Sequence, residues 1–156
     1  MTSRCTIACS LLLALLAFDV RAQDLATAQD PASDLGIGGQ IGDPSGVTLK
    51  LYQRPGLALE FLAAWDLGSF FFLNGHALYE RPIPDSPLHY YLGPGLILGI
   101  RDGTDGTDLV VGISGQAGVN FFVERFEVFL HLTPRLNVIP DTDGNFGGGI
   151  GLRYYL

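Results

Sequence analysis

The chain has three histidines, His76, His89 and His131, and histidine is the side chain best suited to acid–base chemistry near neutral pH. His131 and Thr133 stand two residues apart, so on a β-strand they share a face. An imidazole beside a hydroxyl is the beginning of a nucleophilic site, in which the imidazole takes the hydroxyl proton. No serine falls in register with this pair, and no triad can be assembled. We therefore predict no catalytic residues, and we expect His76 and His131 to be hydrogen-bonded interior residues.

Aspartates occur in two glycine-containing stretches that resemble fragments of calcium loops. Asp102, Asp105 and Asp108 form the first stretch, and Asp141 and Asp143 form the second. Carboxylate oxygens suit a hard cation such as Ca²⁺. Neither stretch continues to the glutamate that ends the twelve-residue calcium loop. The sequence therefore predicts solvated turn aspartates, no metal site and no cofactor.

The first 22 residues have the parts of a secretory signal peptide. Arg4 supplies a positive charge, an apolar run follows, and Ala22 is a small residue before the expected cleavage. Both cysteines, Cys5 and Cys9, lie in this segment, so the exported chain would have no disulfide. Residues 23–34 are polar and without period, and we expect a disordered lead-in.

Charge and hydropathy limit the kinds of partner and of membrane segment. Removal of residues 1–22 reduces the nine basic residues to seven and the sixteen acidic residues to fifteen, which leaves a net charge of −8. A chain this acidic is not expected to bind nucleic acid. No later stretch is apolar for long enough to form a membrane-spanning helix.

From residue 35 onward, short stretches of alternating polar and apolar residues are separated by glycine, proline and aspartate. This pattern is typical of β-strands joined by turns. Pro94 predicts a bulge or kink within the fifth strand. Short links favour an antiparallel up-and-down meander, which closes into an eight-stranded barrel and so removes its edges. The predicted strands cover residues 35–41, 47–52, 57–66, 70–80, 88–101, 109–121, 126–137 and 146–156.

The polar faces of these strands carry few charges. The main ones are Lys50, Glu60, Glu127, Arg135 and Arg153, and the rest is mostly glycine, serine and amide side chains. A soluble surface typically carries about 25–35% charged residues, so this face suits a narrow, packed, polar interior. The apolar faces would then meet lipid. The alternative is a soluble secreted or periplasmic barrel of the lipocalin kind, whose apolar face points inward and binds a small apolar ligand.

The last stretch, residues 146–156, has the sharpest alternation. One face presents Ile150, Leu152, Tyr154 and Leu156, and the other presents Gly149, Gly151, Arg153 and Tyr155. This pattern resembles the closing strand of the small eight-stranded bacterial outer-membrane β-barrels, of the OmpA-transmembrane-domain and OmpX type. Members of that family usually end in an aromatic residue, where this chain has Leu156.

The resemblance implies a transmembrane barrel over residues 35–156, exported to the outer membrane of a Gram-negative-type bacterium. Its partners would be outer-membrane lipid and the barrel-assembly machinery, which reads the closing strand, and the chain would be a monomer. Aromatic residues near strand ends would form interfacial girdles. The implied function is a structural or envelope role with a packed polar lumen and without catalysis. Because some outer-membrane barrels modify lipids with a His/Ser pair, a lipid-modifying enzyme is a further alternative.

Overall fold

The computed structural model describes residues 34–66, 70–103, 106–140 and 142–156. The expected signal peptide and all but the last residue of the expected lead-in lie outside these ranges. The described residues form eight β-strands, which confirms the predicted all-β class. The strands are β1 (Leu35–Asp43), β2 (Gly46–Arg54), β3 (Leu57–Asp66), β4 (Phe70–Pro82), β5 (Leu88–Gly103), β6 (Gly106–Val123), β7 (Phe126–Ile139) and β8 (Asp143–Tyr155).

The strands form one closed antiparallel barrel in which each strand pairs with its neighbours in sequence. β8 returns to pair with β1, from Gly36 opposite Tyr155 to Asp43 opposite Gly148. Closure leaves no strand with an unpaired edge. The predicted eight-stranded up-and-down barrel is therefore confirmed.

Tight turns join the strands at the end of the barrel where β1 begins and β8 ends. Pro55 and Gly56 link β2 to β3, and Gly56 has a φ of 76°, a left-handed conformation that glycine adopts without a steric penalty. Glu124 and Arg125 form the tight turn that the sequence predicts between β6 and β7. We call this end of the barrel the termini end.

Two local features differ from the prediction. The bulge predicted at Pro94 is absent, since the β4–β5 pairing keeps one register on both sides of it, and the register shifts instead at Tyr52/Arg54 and at Val111/Gly112. Pro94 has no N–H to donate to the sheet. The position opposite it on β4, Ala77, is not part of the ladder, so the missing N–H causes no register shift. The expected acidic loop at residues 102–108 is largely strand, since Arg101 pairs with Asp108 and Asp102 with Thr107.

Side chains on the two faces of the sheet differ sharply in chemistry. The outward face is apolar, with exposed residues such as Leu96, Leu130 and Ile150. The inward face holds buried polar residues, and Lys50 and Glu127 are fully inaccessible. This distribution contradicts the lipocalin-like alternative, because an apolar ligand needs an apolar interior. No helix in the described ranges is long and apolar enough to cross a membrane.

The interior also contains an apolar part. Leu62, Ala64, Phe72 and Ile97 form a buried cluster in the part of the lumen away from the termini end. Phe129 is also buried in the lumen, on the same face of β7 as Glu127 and His131. The lumen is thus packed with both polar and aromatic side chains.

Exposed aromatic residues lie near both ends of the outer surface. Tyr79, Tyr90, Phe126 and Tyr154 lie towards the termini end, and the rings of Phe126 and Tyr154 meet edge to face at 5.2 Å. Trp65 is exposed near the opposite end. Amphipathic rings favour the interface between lipid and water, so this placement matches the predicted girdles.

Candidate functional site

A cluster of ion pairs fills the middle of the lumen. Lys50 on β2 donates from Nζ to Glu80 Oε2 at 2.6 Å and to Glu127 Oε1 at 2.8 Å. Glu80 also accepts from the Tyr52 hydroxyl, and Glu127 accepts from the Tyr155 hydroxyl, each at 2.8 Å. The buried ammonium is therefore held by two carboxylates, which in turn have other donors. A buried charge is tolerated only under such pairing.

Arg153 on β8 extends the cluster to the other side of the lumen. Its Nη2 donates to Glu60 Oε2, its Nη1 donates to Glu127 Oε2 at 3.2 Å, and its Nε donates to Thr48 Oγ1 at 3.0 Å. The guanidinium carbon lies 3.8 Å from the centre of the Phe129 ring. Arg153 thus has two carboxylates, a hydroxyl and an aromatic face as partners, which gives one guanidinium a fixed position.

Amide side chains of β6 complete this cluster. Gln116 Nε2 donates to Glu60 Oε1 at 2.8 Å, and Asn120 Nδ2 donates to both Glu80 and Glu127. We call Lys50, Glu60, Glu80, Glu127 and Arg153 the central ion cluster. It has three carboxylates for two cations, and the hydroxyl and amide donors help to stabilise the excess negative charge.

A second polar layer lies beside the central ion cluster, on the side away from the termini end. Ser114 Oγ donates to Asn74 Oδ1 at 3.1 Å and lies 3.0 Å from His76 Nε2. His76 and Ser114 can meet across β5 because Gly95 lies between them. A Cβ at Gly95 would come within 2.3 Å of the His76 ring.

His131 occupies the same layer from β7. Its Nδ1 lies 3.0 Å from Thr133 Oγ1, and its Nε2 lies 2.9 Å from Gln40 Oε1. Both ring nitrogens are thus engaged in structural hydrogen bonds. The expectation that His76 and His131 are hydrogen-bonded interior residues is confirmed. The third histidine, His89, is also buried and lies edge-on to Phe122 at 5.6 Å.

Another ion pair lies at the end of the lumen opposite the termini end, where it spans β8 between β7 and β1. Arg135 Nη2 lies 3.2 Å from Asp43 Oδ2 and also donates to the Asp43 carbonyl oxygen. Between this pair and the central ion cluster, an enclosed cavity of only about 10 Å³ is lined by residues that include His76, Gln116 and Arg135. The polar side chains therefore leave little free space along this part of the lumen.

The structure brings together four of the five charged residues that the sequence places in the lumen. Lys50, Glu60, Glu127 and Arg153 are all part of one buried network. Arg135 is separate, at the mouth. Glu80 was not predicted as a lumen residue, although it stands four residues after His76 and alternation places both on one face.

The structure also shows where the sequence's candidates for metal binding and catalysis lie. Asp108 and Asp143 are exposed on their strands, and no three histidine, cysteine, aspartate or glutamate side chains of the described ranges are grouped to hold a metal. The pair His131–Thr133 is buried in the lumen. The contact of His76 with Ser114 was not predicted, because it joins two strands, β4 and β6, that are not adjacent in the sheet.

Comparison with solved structures addresses the fold. The N-terminal β-barrel domain of Pseudomonas aeruginosa OprF matches with a TM-score of 0.60 and 18% sequence identity, over 77% of this chain and 93% of that domain. The chain has the fold of the small eight-stranded outer-membrane β-barrels. This confirms, for the fold, the resemblance seen in the closing strand.

The other comparisons add little to this finding on the fold. Neisserial surface protein A matches with a TM-score of 0.47 and 15% identity, over 78% of this chain and 93% of that protein. No protein-family model and no curated protein sequence matches the chain.

Proposed function

We propose that this chain is an outer-membrane protein with a structural role in the cell envelope, as a sealed barrel without catalysis. The observation that carries the proposal is the central ion cluster. Its five charged side chains come from β2, β3, β4, β7 and β8, and each is at most 5% exposed. Eight strands enclose a lumen just wide enough to be filled by side chains. Side chains that bond one another across the lumen leave no continuous path for solutes.

The outward face supports a membrane location. Its exposed aliphatic residues lie on β1, on β2 and on every strand from β5 to β8, and so encircle much of the barrel. Contiguous apolar surface of this kind is costly in water and favourable in hydrocarbon. The closed strand pairing supplies the internal hydrogen bonds that the backbone needs in lipid. We therefore assign the chain to the outer membrane, reached through a cleaved signal peptide at residues 1–22.

Two further partners belong to the proposal. Outer-membrane lipid surrounds the barrel, and the barrel-assembly machinery recognises β8 during insertion. The apolar belt is covered by lipid, so the chain acts as a monomer. The acidic balance argues against nucleic acid as a partner.

The hydrogen bonds of the second polar layer support the proposal that the barrel is not a catalyst. In a hydrolytic triad the histidine accepts the nucleophile's proton and a third group orients the other ring nitrogen. Here Ser114 Oγ lies within hydrogen-bond distance of two interior side chains of β4, Asn74 and His76. Among the described residues, no carboxylate is hydrogen-bonded to the His76 ring.

Planar-bilayer conductance tests the sealed lumen. The refolded wild-type barrel is expected to give no steady open level. Arg153→Ala removes the side chain that joins Glu60 to Glu127, and we expect brief small openings. Arg125→Ala, at an exposed turn, is the matched control and should behave as wild type. A steady, voltage-independent conductance of the wild-type protein would overturn the sealed-barrel proposal.

A phospholipid and lipid A turnover assay tests the absence of catalysis. Wild-type protein in mixed micelles should release no fatty acid above the level of Ser114→Ala. Release that requires Ser114 and His76 would instead establish the lipid-modifying enzyme.

A further inference from the structure

The outer surface of the barrel has a groove across β3, β4 and β5. Its volume is about 610 Å³. Small or ring-shaped residues, Gly75, Ala77 and Pro94, face outward here and form its floor. Longer side chains form its walls, among them Leu59, Phe61, Leu73 and Leu96.

The shape of the groove results from the small size of the outward-facing residues of β4. Gly75 pairs with Phe61 on one side and Leu96 on the other, so a position without a side chain lies between two large ones. On the next outward position, Ala77 pairs with Leu59 and stands beside Pro94. A depression lined by hydrocarbon fits a flexible hydrocarbon chain.

The same outward row of β4 continues to a cationic group at the termini end. The outward positions after Ala77 are Tyr79 and Arg81, and Arg81 pairs across the sheet with Tyr90. All three side chains are exposed. The Arg81 guanidinium lies over the Tyr79 ring, 4.7 Å from its centre, and its Nε donates to the Tyr79 hydroxyl.

Lys50, Arg135 and Arg153 each have at least one carboxylate within 4 Å, whereas no carboxylate of the described residues pairs with Arg81. Arg81 is exposed at the edge of an apolar belt, and a guanidinium can donate two parallel hydrogen bonds to a phosphate. Tyrosine side chains on either side favour the same interfacial depth.

We propose that this face binds one glycerophospholipid, with its phosphate on Arg81 and one acyl chain in the groove at Ala77 and Gly75. Four residues of strand separate Ala77 from Arg81, about 13 Å, so one molecule can occupy both features. The headgroup would lie at the termini end and the chain would run towards the middle of the bilayer. This inference rests on the proposed membrane location of the outer face.

Native mass spectrometry of the refolded barrel, titrated with dioleoylphosphatidylglycerol in detergent micelles, tests the site. Dioleoylglycerol, which has the chains without the phosphate, is the second probe. Arg81→Gln should weaken phosphatidylglycerol binding by about tenfold, the loss expected for a charge-assisted contact, and leave dioleoylglycerol binding unchanged. Ala77→Leu fills the groove and should weaken binding of both probes.

Two matched variants control for general effects on the surface. Arg125→Gln removes another exposed arginine at the termini end, and Ala117→Leu enlarges another exposed alanine of the outer face. Both should bind the two probes as wild type does. The site is disproved if Arg81→Gln or Ala77→Leu binds phosphatidylglycerol as wild type does, or if the controls lose as much. Binding in micelles does not depend on conductance or cellular location, so failure here is distinguishable from failure of the proposed function.

Discussion

Arg153 on the last strand and Glu60 on the third strand are 93 residues apart in sequence and form a buried ion pair in the lumen. Neither strand is the other's neighbour in the sheet, so the pair crosses the interior of the barrel. Arg153 also pairs with Glu127 on the adjacent strand β7. One guanidinium thus joins opposite walls of the lumen, and its removal affects two carboxylates at once.

Arg153→Met is expected to destabilise the folded barrel by about 3–5 kcal/mol, because it leaves Glu60 and Glu127 buried without their guanidinium partner. Urea titration in lipid vesicles measures the free energy of unfolding, and Trp65, the single tryptophan, is the fluorescent probe. Arg125→Met is the control, expected within about 0.5 kcal/mol of wild type as an exposed substitution. A loss for Arg153→Met no larger than that of the control would show that the central ion cluster does not stabilise the fold.

Leu130→Arg tests which face meets lipid. Leu130 is 54% exposed on the outer face of β7, where it is the fifth residue of the strand, inside the aromatic girdle at Phe126. An arginine facing lipid at mid-depth costs about 2–4 kcal/mol, whereas the same change on a water-facing surface costs little. Gln53→Arg, at an exposed position near the termini end, is the control and should be nearly neutral. Equal stabilities of the two variants in vesicles would argue that the outer face lies in water.

Gly95→Ala tests the packing of the second polar layer. The added Cβ would overlap the His76 ring and the Gly75 carbonyl oxygen, so we expect a loss of about 1–3 kcal/mol from overpacking. Gly115→Ala is a close control on β6, because its Cβ would meet nothing nearer than Pro134 Cγ at 3.8 Å. The same urea titration measures both. If the two alanine variants have the same free energy of unfolding, the close packing of His76 against Gly95 does not contribute to the stability of the barrel.

The sequence predicted the faces of the barrel well, because strand side chains alternate strictly with a period of two. The alternation of Ile150 and Leu152 with Gly151 and Arg153 is the one the structure shows. Counted back from His76, the same period places Asn74 and Phe72 on the inner face, and both are buried. Alternation could not show that Phe72 packs with Leu62 and Ile97 in an apolar cluster.

Contacts across the lumen could not be predicted, because alternation gives a face but not the height of a residue in the barrel. Ser114 meets His76 only through the registers of two strand pairs and the missing side chain of Gly95. The absence of a bulge at Pro94 could not be predicted for a related reason. A missing N–H can leave neighbouring positions unpaired without shifting the register, and the sequence does not distinguish the two outcomes.

Deletion of residues 151–156 is expected to abolish the folded barrel. The deleted segment pairs with both β1 and β7, and the Leu156 N–H donates to the Leu35 carbonyl oxygen at 3.1 Å. Unpaired backbone groups in lipid cost several kcal/mol each. Leu156→Phe, which restores the aromatic residue usual in the family, should assemble at least as well as wild type. Protease resistance of the membrane-inserted protein measures both, and a resistant truncated chain would refute the role of the closing strand.

A barrel that folds in the outer membrane must be found there in the cell. Outer membranes are separated from inner membranes and soluble fractions, and the chain is followed on gels with and without heating. We expect the chain in the outer membrane, with a mobility that heating changes, because a closed barrel resists detergent until it is heated. A chain found in the soluble fraction, or one whose mobility heating leaves unchanged, would contradict this expectation.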